Sequence, residues 1–251
     1  MKGALLYLFD FFAGKCDLLE VIIRFFSVFV IIFLCFPIHE CAHALVAKIL
    51  GDDTAEQQGR VTLNPLAHID PMGAICMCIC CIGWAKPTPV DLRNCRKTSM
   101  RTANVLVSLA GPLSNILLAL IVMLIEKIVV VAVGVPLEAA LVSGNFGSDA
   151  MVVYNYVFQP TVGYILIGLG QIVQINIFLG IFNLIPIPPF DGYHILSSFL
   201  PAKALFFMEK NGQIIHFIVF VLLISNVLDR PLMFLENAIW TFLDLITRFI
   251  C

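Results

Sequence analysis

Residues 21–50 read VIIRFFSVFVIIFLCFPIHECAHALVAKIL, an apolar stretch whose central part, residues 25–39, carries no Asp, Glu, Lys or Arg. At a rise of about 1.5 Å per residue, a helix over the whole stretch extends about 45 Å, whereas the hydrocarbon core of a bilayer is about 30 Å thick. The stretch therefore predicts a helix that crosses a membrane.

The composition of the whole chain is as apolar as expected for a membrane protein. Of its 251 residues, 60% are hydrophobic and 13% are charged, about half the charged fraction of a typical soluble domain. The formal net charge is −2 and no basic stripe is present, which argues against a nucleic-acid partner. The high apolar content excludes a disordered chain. The composition predicts an all-α polytopic membrane protein, a helical bundle with the lipid bilayer as its solvent.

Three further stretches lack charged side chains. They lie between Arg101 and Glu126, between Asp149 and Asp191, and between Lys210 and Asp229. Each supplies most or all of the roughly 20 residues that a membrane-spanning helix needs. We therefore expect one membrane-embedded domain over residues 1–251. Its core covers about residues 21–228, and residues 1–20 and 229–251 form peripheral helices or interfacial segments.

The distribution of basic residues predicts the orientation of these spans. Residues 86–101 contain five Lys and Arg against one Asp, so this loop is expected on the cytoplasmic side. Residues 128–149 contain no Lys or Arg and two acidic residues, so they are expected on the opposite side. Residues 71–85 are uncharged but short, and we expect them to turn back without crossing. The chain is then a multi-pass protein of the cell membrane, and the helix over residues 21–50 ends at the cytoplasmic side.

A cysteine-rich run, CMCICC at residues 76–81, suggests a metal cluster at first sight. A zinc ribbon requires two C-x-x-C pairs, and this run has neither that spacing nor polar surroundings. Free cysteine packs as a small hydrophobic residue, and we expect that role here.

A candidate metal site lies near the end of the first span, at His39-Glu40-Cys41-Ala42-His43. Histidines at positions i and i+4 share one helical face and can bind Zn²⁺ together. Glu40 is turned about 100° away from that face, where it can act as a general base on water rather than as a ligand. The alternative is two partly buried histidines near the interface, which leaves an ionisable Glu40 at membrane depth unexplained.

A second motif, NLIPIPPFDG at residues 183–192, ends the long uncharged stretch. Three prolines in four positions cannot continue a helix, so a discontinuous helix is expected here. Unwound backbone at membrane depth occurs where it lines a cavity or is buried in protein. Asp191 follows this break and can meet the histidine pair as a third metal ligand. An ordinary interfacial turn is the alternative.

The two motifs resemble the site-2 protease family of intramembrane zinc metalloproteases, in its compact prokaryotic branch without a PDZ domain. The resemblance extends through GRVTLNPLAHIDP at residues 59–71, GWAKPTPV at 83–90 and AGPLSN at 110–115, and it covers about residues 26–200. It implies that His39, His43 and Asp191 bind one Zn²⁺ per chain and that Glu40 is the general base. The implied reaction is hydrolysis of a peptide bond within or near a transmembrane helix of a membrane-protein substrate, with the active site opening toward the cytoplasm.

Four further polar residues are candidates for supporting roles. Asn183 and Asn115 could donate hydrogen bonds to the oxyanion or clamp the substrate, although asparagines in membranes also bond to neighbouring helices. His68 could gate water or lie near the metal, and a loop cap is the alternative. His194 could support the Asp191 carboxylate.

Two other functions use similar residues. A membrane zinc transporter also needs His and carboxylate ligands, but it needs several sets along a path, and only one compact set is present here. A catalytically silent scaffold with a structural zinc ion is the third class. Activity of the Glu40→Gln variant separates the three.

Overall fold

The structure of the chain, a computed structural model, describes residues 4–80, 82–133, 160–225 and 227–250. The regular structure of these ranges is helical, which confirms the predicted all-α fold. The elements are α1 (Ala4–Phe12), α2 (Leu18–Val30), a π-helical turn (Ile31–Cys35), α3 (Phe36–Leu50), α4 (Thr54–Gln57), α5 (Pro71–Cys80), α6 (Met100–Val133), α7 (Pro160–Asn183), α8 (Asp191–Ser197), α9 (Ala202–Lys210), α10 (Gly212–Ile224) and α11 (Asp229–Thr247).

The first predicted span is one continuous helical segment, Leu18–Leu50, of 33 residues. The π-helical turn separates α2 from α3, and Pro37, which has no N–H to donate, lies directly after this irregular turn. Gly51 ends the helix with φ of 107°, and the N–H groups of Gly51 and Asp52 bond to the carbonyls of Lys48 and Ala47. The histidine motif therefore lies within the last four turns of the segment.

Two more helices are long and apolar enough to cross a membrane, namely Met100–Val133 and Ile165–Asn183. The fourth predicted span differs, because α10 has 13 residues. A helix of that length extends about 20 Å, less than the thickness of the hydrocarbon core. The predicted outer loop over residues 128–149 continues beyond Val133 and lies outside the described residues from there on.

The segment over residues 71–85 turns back as predicted. Its helix α5 has 10 residues, and Ile69 pairs with Ala85 in an antiparallel bridge. The Lys86 N–H also donates to the carbonyl of His68 over 2.7 Å. The two ends of the segment are therefore adjacent, and the chain returns to its starting side. Cys76, Cys78 and Cys80 lie on α5 with free thiols.

Helix α6 lies at the centre of the bundle and packs against α3 on one side and α7 on the other. Ala119, Val122 and Met123 of α6 form a buried cluster with Val173, Ile177 and Ile181 of α7 and with Leu232 and Leu243 of α11. Small residues allow this close approach, since a Cβ added at Gly180 would lie 2.8 Å from Cδ1 of Ile116.

The two flanking segments also pack against the bundle. Helix α1 contacts α2 and α5, and α11 contacts α6 and α7. The Lys127 ammonium on α6 pairs with the Asp244 carboxylate on α11 at 2.7 Å, and both side chains are mostly buried. The segment after residue 228 is thereby tied to the central helix.

Candidate metal centre

The three predicted metal ligands come from two separate elements. His39 and His43 lie one turn apart on α3, with ring centroids 4.7 Å apart, and both are buried. Helix α7 ends at Asn183, the proline-rich segment that follows is not helical, and Asp191 begins α8. The predicted break at this motif is present, and it carries the carboxylate to the face of α3 that presents the histidines.

The potential ligand atoms of these three side chains converge on one point. Nε2 of His39 lies 3.1 Å from Oδ2 of Asp191, and Nε2 of His43 lies 3.4 Å from the same oxygen. The two Nε2 atoms are 3.1 Å apart. Ligands at about 2.0–2.2 Å from a tetrahedral zinc ion are separated by about 3.4 Å. The spacing of the three atoms is therefore suited to one zinc ion.

The hydrogen bonds of the two rings leave the converging atoms free for a metal. Nδ1 of His39 bonds to Oδ1 of Asn115 at 2.9 Å, and Nδ1 of His43 bonds to the carbonyl oxygen of Val107 at 2.7 Å. Both partners are acceptors, so each Nδ1 carries the proton and each Nε2 has a lone pair.

Gly111 of α6 leaves the space that an ion requires. A Cβ added there would lie 2.4 Å from Nε2 of His43 and 2.5 Å from Nε2 of His39. Any larger residue would fill the volume beside both nitrogens. The ring hydrogen bonds, the ligand spacing and this space together fit a zinc ion.

Glu40 lies outside the converging group, as its position on the helix predicts. Its Oε2 accepts a hydrogen bond from the Thr88 N–H at 2.9 Å, and the Thr88 hydroxyl donates to the Glu40 carbonyl oxygen at 3.0 Å. The loop after α5 thus contacts both the side chain and the main chain of Glu40. These contacts hold a carboxylate next to the metal ligands without making it one of them.

Asp52, just after α3, fixes the continuation of this loop. Its buried carboxylate accepts hydrogen bonds from the Asp91 N–H at 2.7 Å, from the Thr54 N–H at 3.0 Å and from the Asn94 amide at 3.3 Å, and also from the Thr54 hydroxyl. Burial raises the pKa of Asp52, but these hydrogen bonds outweigh it, and the pKa lies below the usual range. The ionised carboxylate therefore anchors the loop that reaches Glu40.

The structure shows the contacts of the four supporting candidates. Asn115 contacts His39, and its Nδ2 donates to Asn176, which is the bonding between neighbouring helices named as the alternative. Asn183 donates to the carbonyl of Leu179, one turn earlier on α7, at 3.0 Å. It remains a predicted oxyanion donor, because a side-chain amide carries a second N–H.

The two further histidines are not in the converging group of the described residues, which consists of His39, His43 and Asp191. The ring of His68 bonds to the carbonyl of Thr62 at 2.8 Å, so this side chain is committed to its own loop. His194 accepts a hydrogen bond from Asn104 at its main-chain oxygen, at 2.6 Å, which ties α8 to α6. His68 thus makes the loop contact that was its alternative, whereas the bond at His194 involves only its main chain, so a supporting role of its ring stays a prediction.

The sequence did not predict roles for Thr88 or Asn176, and Gly111 was expected only to allow close helix packing. Thr88 and Gly111 lie inside motifs that were noted, but their contacts depend on which loop and helix faces meet. Asn176 is one of three amides, with Gln171 and Gln174, in the middle of a long uncharged stretch, and such polar side chains at membrane depth were an available signal.

Comparisons with known proteins agree with this geometry. The model of peptidase family M50 matches residues 27–226. The chain is 37% identical over 201 residues to "Putative zinc metalloprotease YwhC" of Bacillus subtilis (strain 168), covering 79% of this chain and 81% of that one. It is 29% identical over 208 residues to "Putative zinc metalloprotease Rip2" of Mycolicibacterium smegmatis, covering 82% of this chain and 68% of that one.

No solved structure matches the chain significantly. The family match includes both motifs and all three residues of the converging group, and it accounts for most of the chain. The chain is a member of peptidase family M50, the site-2 protease family.

Proposed function

We propose that this protein is an intramembrane zinc metalloprotease that hydrolyses a peptide bond within or near a transmembrane helix of a membrane-protein substrate. The observation that carries the proposal is the convergence of His39, His43 and Asp191 beside Glu40, with both histidines on a helical segment long and apolar enough to cross a bilayer. The names of the two relatives, both zinc metalloproteases, support it.

In this proposal, Nε2 of His39, Nε2 of His43 and a carboxylate oxygen of Asp191 hold one Zn²⁺ per chain. When bound, the ion lowers the pKa of water and polarises a carbonyl group. Three protein ligands leave a fourth position open, which is the arrangement of catalytic rather than structural zinc sites.

Glu40 performs the proton transfer. Its carboxylate accepts a proton from the attacking water and later delivers it to the amine that leaves. The Thr88 N–H keeps this carboxylate oriented beside the metal ligands. Asn183, at the end of α7 next to the break, is the proposed donor to the oxyanion of the scissile carbonyl.

The proposed domain and orientation follow the sequence prediction. A single peptidase domain with a core over about residues 21–228 is supported by the family match over residues 27–226. The basic loop over residues 86–101 supports a multi-pass arrangement in the cell membrane with the site opening toward the cytoplasm.

Cysteine labelling tests the orientation. In a background without cysteine, Arg96→Cys is expected to react with an impermeant reagent from the cytoplasmic side and Ser143→Cys from the outside. Labelling of both from the same side would contradict the orientation.

The function is tested with two variants of the same motif. Glu40→Gln is nearly isosteric and removes the base without removing a ligand, so zinc is retained and cleavage of a transmembrane reporter in liposomes is lost. His43→Ala removes a ligand, so both zinc and cleavage are lost. Zinc is measured by elemental analysis of the same preparations.

The wild type is the reference for both readouts. Cleavage by Glu40→Gln at the wild-type rate would remove Glu40 from the reaction. A wild type that cleaves no reporter but moves zinc across liposomes would identify a transporter. A wild type that binds zinc and does neither would identify a scaffold.

A further inference from the structure

A chain of buried amides links His39 to the main chain of α7. Oδ1 of Asn115 on α6 bonds to Nδ1 of His39 at 2.9 Å. Nδ2 of Asn115 donates to Oδ1 of Asn176 on α7 at 3.3 Å. Nδ2 of Asn176 donates to the carbonyl oxygen of Ile172 at 2.8 Å. Asn115 is 1% exposed and Asn176 is 0% exposed, so bulk water does not compete for these bonds.

The carbonyl of Ile172 determines which group donates and which accepts in each hydrogen bond between the two amides. The carbonyl of Ile172 can only accept, so Asn176 must turn its NH₂ group toward it. The reverse orientation would place two oxygen atoms 2.8 Å apart with no hydrogen between them. Oδ1 of Asn176 therefore faces Asn115 and selects the NH₂ group of that residue.

The same logic continues to the ring of His39. With its NH₂ group engaged by Asn176, Asn115 presents Oδ1 to Nδ1 of His39. An oxygen acceptor requires the proton on Nδ1, which leaves the lone pair on Nε2, the atom that converges with His43 and Asp191.

The proton on Nδ1 is fixed by different kinds of partner in His39 and His43. Nδ1 of His43 contacts a main-chain carbonyl directly, that of Val107 at 2.7 Å, and that group cannot reverse its role. The partner of His39 is a side-chain amide, which could present either its oxygen or its nitrogen. His39 therefore depends on a second residue that fixes the orientation of Asn115.

We infer that Asn176 is a positioning residue for the metal centre: it orients the Asn115 amide and thereby sets the tautomer of His39 that binds the ion. The inference rests on the proposed role of His39 as a zinc ligand. Groups that orient a metal-bound histidine in this way typically change metal affinity by about 10–100-fold when they are removed.

The test measures zinc affinity of the full-length protein in detergent, by competition with a chromophoric chelator. Asn176→Leu removes the hydrogen bonds of the amide to Asn115 and Ile172, and also its contact with the Cys35 thiol, while keeping a buried side chain of similar size. We expect its zinc dissociation constant to rise about 10–100-fold. The spectrum of the Co²⁺-loaded protein, which reports ligand geometry, is expected to change with it.

Gln171→Leu is the matched control. Gln171 is an amide on the same helix, five residues before Asn176, and its Oε1 accepts a hydrogen bond from Ser27 of α2 at 3.3 Å. The control therefore removes an interhelical amide bond of α7 that does not lead to His39. Its zinc affinity is expected to equal that of the wild type.

A double-mutant cycle separates positioning from general loss of packing. If Asn176 acts through Asn115, then Asn176→Leu adds no further loss of zinc affinity in an Asn115→Leu background. Additive losses would overturn the inference, as would wild-type affinity and an unchanged Co²⁺ spectrum in folded Asn176→Leu.

Asn115→Asp provides a rescue. Both oxygens of an ionised carboxylate accept, so His39 keeps an acceptor in either orientation of the new carboxylate. Asn176→Leu is then expected to cost little zinc affinity in that background, and an undiminished loss would count against the inference. Failure of the proposed function itself is distinguished by His39→Ala, which would leave zinc affinity unchanged only if His39 were not a ligand.

Discussion

The space beside the two histidines can be closed with one methyl group. In Gly111→Ala, the new Cβ would stand 2.4 Å from Nε2 of His43 and 2.5 Å from Nε2 of His39, whereas ordinary contacts are 3.4–4 Å. Relief of the overlap requires a displacement of about 1 Å, and metal sites tolerate deviations of about 0.2 Å in ligand distance. We expect the zinc dissociation constant to rise at least about 100-fold, equivalent to about 2.7 kcal/mol. Overpacking adds a loss of about 1–3 kcal/mol in the free energy of unfolding.

Gly180→Ala is the matched control for this change. It adds a methyl group at the interface of α6 with α7 instead of at that with α3, and the nearest atom is Cδ1 of Ile116 at 2.8 Å, the end of a flexible side chain. Both variants are purified in detergent, checked by thermal unfolding without metal, and titrated with zinc against a chelator. Gly180→Ala should bind zinc like the wild type. A folded Gly111→Ala protein with an affinity within about threefold of the wild type would refute the proposed position of the metal.

Three further changes test the surroundings of the site. Thr88→Val removes the hydrogen bond from the hydroxyl to the Glu40 carbonyl but keeps the bond from the main-chain N–H to the Glu40 carboxylate. We expect kcat to fall about fivefold at unchanged zinc content and to recover in Thr88→Ser. An unchanged kcat in Thr88→Val would show that the hydroxyl bond is dispensable. Asn183→Leu should lower kcat about 10²–10³-fold with zinc retained, as expected for loss of an oxyanion donor, and near-normal cleavage would remove it from that role. Asp52→Asn should lower the free energy of unfolding by about 1–3 kcal/mol at pH 7, because Asp91 and its neighbours donate to an ionised carboxylate. The pKa of Asp52 in the folded protein is depressed, so the difference in the free energy of unfolding between wild type and Asp52→Asn is full above about pH 4 and is lost as the pH falls through the folded pKa. A difference between the two proteins that grows in acid would contradict the assignment.

The sequence was sufficient to predict the elements that carry the chemistry. Charge-free runs predicted the three long helices, and helical periodicity predicted that His39 and His43 share a face while Glu40 does not. The prolines before Asp191 predicted the break that brings this residue to α3. These predictions succeed because each depends on residues that are close together along the chain.

Contacts between distant elements could not be predicted in the same way. Asn115 was expected to serve an oxyanion, but its side chain contacts His39, and only the packing of α6 against α3 decides which atom it meets. Thr88 reaches Glu40 because the loop after α5 returns beside Ile69. The length of α10 was overestimated because an uncharged run does not reveal where a helix begins and ends.

The separation of the proposed ligands along the chain has a consequence for biosynthesis. His39 and Asp191 are 152 residues apart, and Asp191 follows the three helices of the described residues that are long enough to cross a membrane. A nascent chain therefore acquires its histidines early and its carboxylate only after most of the polypeptide has been translated. Until then the zinc site lacks one of its three protein ligands. A complete set of the three proposed ligands is therefore available only after the three long helices have been synthesised.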